Sequence, residues 1–195
     1  MDRLVDIITN YYVRKNVITE DKRDIYFYGF KLIISDIINY AIIIILGIVL
    51  NRLIESVAFL ISLCVLRQFS GGFHAKTFWL CRLSMIITYI CVMALSDIIA
   101  YKEYSIITVS IINVISIVFI AVFAPIVHPN KPLSDRQKRG NKIKSIITSF
   151  FLSIASILLV IADVKPGVTI STTLLSVIIL MIIGSATQKG GKRNV

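Results

Sequence analysis

Long apolar runs dominate the chain and constrain its fold more than any other feature. Apolar runs of about 20 residues match the thickness of a bilayer core. Within a membrane every backbone polar group must be paired internally, so such runs cross it as helices. Six segments of this kind lie at about 32–50, 53–66, 79–100, 105–127, 145–162 and 169–187. The sequence therefore predicts an all-α, multi-pass membrane protein with about six transmembrane helices.

Composition supports the same class of protein. The chain is 56% hydrophobic, and its mean hydropathy of +0.84 lies far from that of soluble domains. We expect one integral membrane domain over 1–195, with an interfacial region at 1–31, a six-helix bundle at 32–187 and a tail at 188–195.

The first 31 residues are polar enough to lie outside the bilayer core. Apolar side chains recur there at helical spacing among charged ones, namely Leu4, Ile7, Ile8, Tyr11 and Tyr12. This pattern predicts an amphipathic helix lying in the membrane interface. Such a helix serves either as a plain surface anchor or as a docking surface for an amphipathic peptide.

The positive charges are divided very unevenly between the two sides of a six-span protein. Eighteen of the 21 Lys and Arg residues fall on one side, and only Arg52, Lys102 and Lys165 fall on the other. Cytoplasmic loops carry the excess of Lys and Arg. We therefore expect both termini in the cytoplasm of a cell-membrane protein. The net charge of +10 then needs no nucleic-acid partner, and none is expected.

The segment between the second and third apolar runs concentrates residues with chemical potential. The second run, 53–66, would form a helix of about 21 Å, which is shorter than a bilayer core of about 30 Å. Either the membrane is thinned there, or the run stops below the far surface. In the second case the chain from Arg67 onward would start as an irregular loop at membrane depth. That loop carries Gln68, Gly71, Gly72 and His74, and it leads to Cys81.

His74 and Cys81 can form a nucleophile and base only if the chain bends between them. On one straight helix they would lie about 10.5 Å apart along the axis. The glycine pair argues against helix before His74, and Thr77 is a plausible N-cap for the third span. Cys81 would then lie in the first turns of a helix, where partial positive charge favours the thiolate. The alternative is that both are ordinary packing residues, as we expect for Cys64 and Cys91.

An acidic residue within the first span is a further candidate. Asp36 and Asn39 stand three residues apart on one helical face. Intramembrane acids usually face the bundle interior and have a function. Asp36 could orient His74, or it could form with Asn39 a hydrogen-bonding pair that joins helices.

The residues Arg67, Gly71, Gly72, His74 and Cys81 stand as they do in the accessory gene regulator B (AgrB) peptidases. The stretch 124–134, with its basic continuation to 144, resembles that family's second cytoplasmic signature. The resemblance covers the whole chain, including its size, its six spans and its basic N-terminal region.

This resemblance implies a cysteine endopeptidase active at the cytoplasmic face in quorum sensing. The positions matching Cys81 and His74 are the nucleophile and base, and those of Arg67 and Gly72 belong to the same cluster. The substrate would be an AgrD-like autoinducer peptide precursor whose acidic C-terminal tail is removed, and the enzyme would act as a homodimer. Backbone N–H groups at the glycines, with Gln68, could stabilise the oxyanion.

Charge adds two expected partners. The basic loop 131–144 suits the acidic precursor tail and anionic lipid, through Lys131, Arg136, Lys138 and Arg139. The same charges would also serve as a topology signal alone.

Two other classes of function remain open from the residues. One is a permease or exporter subunit for a small peptide, for which Asp36 and Glu55 would suit a transport path. The other is a scaffold, which leaves the loop residues unexplained. Metallopeptidase and serine-peptidase motifs are absent from the sequence, and we expect neither a metal nor a cofactor.

Overall fold

The computed structural model describes residues 2–71, 78–100, 105–126 and 134–191, with side chains up to 185. These ranges form seven α-helices and one short 3-10 helix at Glu20–Lys22, and they contain no strand. The helices are α1 Asp2–Arg14, α2 Arg23–Val49, α3 Leu53–Ser70, α4 Phe78–Ala100, α5 Ser105–Phe123, α6 Asp135–Ile161 and α7 Pro166–Gly191. The predicted all-α fold is confirmed.

Six of these helices, α2 to α7, are long and apolar enough to cross a membrane. This confirms the predicted number of spans. Both α2 and α6 contain 27 residues, which corresponds to about 40 Å of helix. Because a bilayer core is about 30 Å thick, each of them is long enough to continue beyond it.

The third helix corrects one prediction. It contains 18 residues and ends at Ser70, so it measures about 27 Å and is not too short to span the bilayer. Arg67 and Gln68 therefore lie in its last turn rather than in an irregular loop. The physical reason is that hydropathy falls at Arg67, whereas helical backbone continues through residues that favour helix until a glycine ends it.

The chain divides into two compact units, residues 1–45 and 46–195. In the first unit, α1 packs on the N-terminal part of α2. Arg23 forms an ion pair with Asp6 and donates from Nε to Oδ1 of Asn10 over 3.0 Å. Tyr12 and Phe30 stack with their ring centroids 5.5 Å apart.

The face of α1 turned away from these contacts is apolar. Leu4, Ile7 and Tyr11 are all more than half exposed. This arrangement confirms the predicted amphipathic helix, while its location at the membrane interface stays a prediction.

In the second unit, α7 lies at the centre and packs against α3, α4, α5 and α6. Its first turns are buried and rich in hydroxyl side chains, among them Thr169, Ser171 and Thr172. Thr172 Oγ1 lies 2.7 Å from Ser96 Oγ in α4. Small hydroxyl residues let membrane helices approach closely and bond across their interface.

The contact between α6 and α7 shows how close this approach is. Ser156 Oγ donates to the carbonyl oxygen of Gly167 over 2.7 Å. A Cβ atom at position 167 would lie 2.7 Å from the carbonyl oxygen of Ser156. Glycine is therefore needed at this crossing.

Two predictions about single side chains are wrong. Cys91 is exposed on the surface of α4 rather than packed. Asp36 is also exposed while Asn39 is buried, so the two do not share one buried helical face. A spacing of three residues leaves an angle of about 60° between side chains, which is enough to place them in different surroundings.

Candidate active site

Cys81 is the fourth residue of α4 and is half-buried. This confirms that it lies in the first turn of the third span. The first four N–H groups of a helix lack partners within the helix, and they give its N-terminus a partial positive charge. The sulfur atom of Cys81 therefore lies in the turn that contains these N–H groups.

A hydrogen bond from the following turn of α4 supports the turn that carries Cys81. Ser84 Oγ donates to the carbonyl oxygen of Cys81 over 2.8 Å. Arg82 lies with its guanidinium 5.1 Å from the ring centroid of the exposed Trp79. This turn therefore carries a thiol, a cation and an amphipathic aromatic ring, as expected of a helix end at a membrane surface.

Gly71 ends α3 in a backbone conformation that suits only glycine. Its φ is 73° and its ψ is −166°, a region that is essentially restricted to glycine. The N–H of Gly71 donates to the carbonyl oxygen of Arg67 over 3.2 Å. The chain thus leaves the helix sharply, as predicted from the glycine pair.

The other predicted members of the site are only partly described. Arg67 is half-buried and Gln68 is exposed. Gly72, His74 and Lys131, together with the predicted N-cap Thr77, lie outside the described residues, so the pairing of His74 with Cys81 stays a prediction. The same holds for an orienting role of Asp36.

The start of α6 forms a basic surface. Arg136, Lys138 and Arg139 are all exposed, and Lys138 Nζ lies 3.2 Å from Asp135 Oδ1. Positive charges are unfavourable at a helix N-terminus. A capping box between Ser134 and Gln137 offsets this cost, since each side chain bonds the backbone of the other residue.

Two contacts between distant segments of the chain were not predicted from the sequence. Lys144 Nζ in α6 lies 5.5 Å from the ring centroid of Phe69 in α3. Gly71 forms an isolated parallel β-bridge with Ile126, which follows α5. The second contact is made by backbone atoms, so no pattern of side chains could have predicted it. Within the described ranges, no three His, Cys, Asp or Glu residues are grouped as metal ligands.

The sequence of the chain was compared with those of known proteins and protein families. The family model described as Accessory gene regulator B matches residues 5–187. An AgrB-like protein 2 of Clostridium perfringens (strain 13 / Type A) is 30% identical over 148 residues, which cover 71% of this chain and 69% of the relative.

Two further relatives match shorter parts of the chain. The accessory gene regulator protein B of Staphylococcus intermedius is 31% identical over 60% of this chain and 58% of its own length. Protein FsrB of Enterococcus faecalis (strain ATCC 47077 / OG1RF) is 37% identical over 33% of this chain and 27% of its own. No solved structure matches the chain significantly. The family match spans nearly the whole chain, including the described site residues, so the protein belongs to the accessory gene regulator B family.

Proposed function

We propose that this protein is a membrane cysteine endopeptidase that removes the C-terminal tail of an AgrD-like autoinducer peptide precursor. The observation that carries the proposal is the position of Cys81 at the N-terminal turn of α4, half-buried and beside Arg82. Membership of the accessory gene regulator B family supports an AgrD-like precursor as the class of substrate.

The first step forms an acyl-enzyme. The thiolate of Cys81 attacks the carbonyl carbon of the scissile peptide bond, and the C–N bond breaks. His74 gives a proton to the leaving amine, which departs as the new N-terminus of the released tail. General acid catalysis of this kind contributes typically 10²–10⁴-fold to the rate.

The second step releases the product by exchanging the thioester to Cys81 for a thioester or an ester within the precursor. An internal Cys or Ser of the precursor attacks the thioester and gives its proton to His74, and Cys81 leaves as the thiolate. The product is a thiolactone or a lactone ring, used as a quorum-sensing pheromone. Excluding water from the site would favour this ring closure over hydrolysis.

Both steps take place at the cytoplasmic face, with both termini on the same side. This orientation follows from the excess of Lys and Arg at that side. The exposed basic start of α6 faces the same compartment and attracts the acidic precursor tail and anionic lipid. Function as a homodimer is part of the same proposal and comes from the family resemblance.

The experiment is cleavage in liposomes that contain wild type, Cys81→Ala or His74→Ala with an AgrD-like precursor. Mass spectrometry would detect the released tail and an acyl adduct on Cys81. We expect wild type to cleave and to form the adduct, and both variants to lose activity. Cleavage by Cys81→Ala would overturn the nucleophile assignment. Vesicles that move the peptide without cutting it would instead support a permease.

A further inference from the structure

The end of α3 and the segment after α5 are joined by backbone atoms, in a contact we call the backbone clamp (Ser70, Gly71 and Ile126). The N–H of Ile126 donates to the carbonyl oxygen of Ser70 over 2.9 Å. Gly71 and Ile126 pair as an isolated parallel β-bridge. The clamp ties together two helix ends far apart in the sequence.

The first part of the clamp satisfies a buried carbonyl. Ser70 is fully buried, and the last carbonyls of a helix have no partner within it. Leaving a buried acceptor without a partner destabilises the fold. The side chain of Ser70 cannot take this role, because its hydroxyl donates to the carbonyl oxygen of Gly71 over 3.1 Å. The N–H of Ile126 provides the bond.

The second part of the clamp requires a glycine for two independent reasons. The backbone at position 71 has φ 73° and ψ −166°, which other residues rarely adopt. A Cβ atom there would also lie 2.3 Å from the carbonyl oxygen of Ile126. That oxygen belongs to the backbone, so a flexible side chain cannot move aside to relieve the clash.

The clamp lies where the chain leaves α3 for α4, the helix that carries Cys81. Both α3 and α4 pack against α7, which fixes the two helices. The contact of Lys144 with Phe69 adds α6 to the same end of α3. The clamp adds to these contacts a backbone pairing that holds Gly71, the first residue after α3, against Ile126.

We propose that Gly71 and Ile126 are positioning residues, which fix the direction in which the chain leaves α3 toward α4, the helix that carries Cys81. This inference rests on the proposed peptidase function. The inference gives Ile126, in the segment after α5, a role in the reaction through its backbone contacts with Ser70 and Gly71. A displacement of about 1 Å in a catalytic arrangement can lower the rate on the order of 100-fold.

The test compares three substitutions of glycine by alanine in the full-length protein in liposomes. Gly71→Ala breaks the clamp. Gly167→Ala is the matched control, since its Cβ also meets a backbone oxygen, at 2.7 Å, but in the contact between α6 and α7. Gly29→Ala adds the same methyl group where nothing lies within 4 Å. Tail release is measured for each variant, with kcat and KM separated, alongside the thermal stability in detergent.

We expect Gly71→Ala to lower kcat on the order of 100-fold while KM stays within about twofold of wild type. Gly167→Ala should lower thermal stability while the remaining folded protein keeps its kcat. Gly29→Ala should change neither. The inference is overturned if Gly71→Ala keeps the wild-type kcat, or if Gly167→Ala loses as much kcat per folded molecule.

A second pair of variants keeps the test valid if Gly71→Ala fails to fold. The clamp uses the backbone of Ile126, so Ile126→Val, which keeps the N–H, is the reference for a substitution by proline. Ile126→Pro removes the N–H that Ser70 requires and should lower kcat as Gly71→Ala does. Equal kcat values for these two variants would contradict the clamp. If the peptidase proposal itself is wrong, wild type will fail to cleave the precursor or Cys81→Ala will still cleave it. Both results differ from a loss of kcat that is confined to the clamp variants.

Discussion

Arg52 donates from Nη1 to Oδ1 of Asp97 over 2.8 Å, joining the start of α3 to the last turns of α4. The hydrogen bond to Asp97 holds the pKa of the Arg52 guanidinium above its ordinary value. A basic group with a raised pKa contributes its stability at every pH below the unfolded value. Arg52 therefore adds no pH dependence near neutrality.

The Arg52–Asp97 pair should contribute modestly to stability. Both side chains are about one-third exposed, and pairs that face solvent contribute about 0.2–1 kcal/mol. We expect a double-mutant cycle of Arg52→Gln and Asp97→Asn to give a coupling energy near the upper end of that range. The cycle for Asp135 and Lys138, which are far more exposed, should give a value near zero. Equal coupling energies would contradict the difference in burial.

Ser56 and Tyr89 should respond unequally to loss of their shared hydrogen bond. Their oxygens lie 2.7 Å apart, and Ser56 Oγ also donates to the carbonyl oxygen of Arg52 over 2.7 Å. The proton of Ser56 is thus used, so Tyr89 donates to Ser56. Tyr89→Phe removes this donor and should cost about 1 kcal/mol, whereas Ser56→Ala leaves a buried hydroxyl unpaired and should cost about 1–3 kcal/mol.

Unfolding of the two variants in detergent, followed by loss of helical circular dichroism, measures this difference. Phe59 packs edge-on to the ring of Tyr89, with centroids 5.4 Å apart, and Tyr89→Phe preserves that contact. A larger loss of stability in Tyr89→Phe than in Ser56→Ala would show that the donor has been assigned the wrong way round.

The sequence predicted the helices of this fold better than it predicted their ends and contacts. Membrane spans follow from apolar runs, because backbone pairing in lipid leaves helix as the available structure. The end of α3 was predicted at 66 instead of Ser70, since hydropathy reports polarity and not backbone conformation. A Gly-Gly pair correctly indicated where the helix breaks.

The site was predictable where it depends on residue type along one helix. The position of Cys81 in the first turn of α4 followed from the sequence. The contact of Gly71 with Ile126 did not, because it joins backbone atoms of segments more than 50 residues apart. A signal for the start of α6 was present and was missed. The motif Ser134-x-x-Gln137 is a capping box.

The basic start of α6 should bind substrate rather than serve only as a topology signal. We expect Arg136→Gln combined with Arg139→Gln to raise KM on the order of tenfold, because two exposed ion pairs contribute up to about 1 kcal/mol each. The change in KM should shrink as salt screens the charges. Arg14→Gln combined with Lys15→Gln removes the same charge from α1 and serves as the control.

Membrane orientation must be measured in the same samples, by labelling cysteines placed at the two ends of α6. An inverted orientation in Arg136→Gln/Arg139→Gln would favour the topology signal. Normal orientation with a raised KM would favour the binding role, provided that the control on α1 keeps the wild-type KM.

The attachment of α1 to α2 should weaken in acid because of Asp2. Lys31 Nζ lies 2.6 Å from Asp2 Oδ1, and this hydrogen bond lowers the pKa of Asp2 below its ordinary value of 3.8. An acid with a lowered pKa contributes stability above its ordinary pKa and loses it as the pH falls through the lowered one. Asp2→Asn should therefore speed hydrogen exchange in α1 at pH 6, and its difference from wild type should shrink as the pH falls below the ordinary pKa of 3.8. Asp24→Asn is the control, since Asp24 is almost fully exposed and lies 3.6 Å from Arg23. If Asp2→Asn and wild type exchange alike at pH 6, the ion pair with Lys31 does not hold α1 in place.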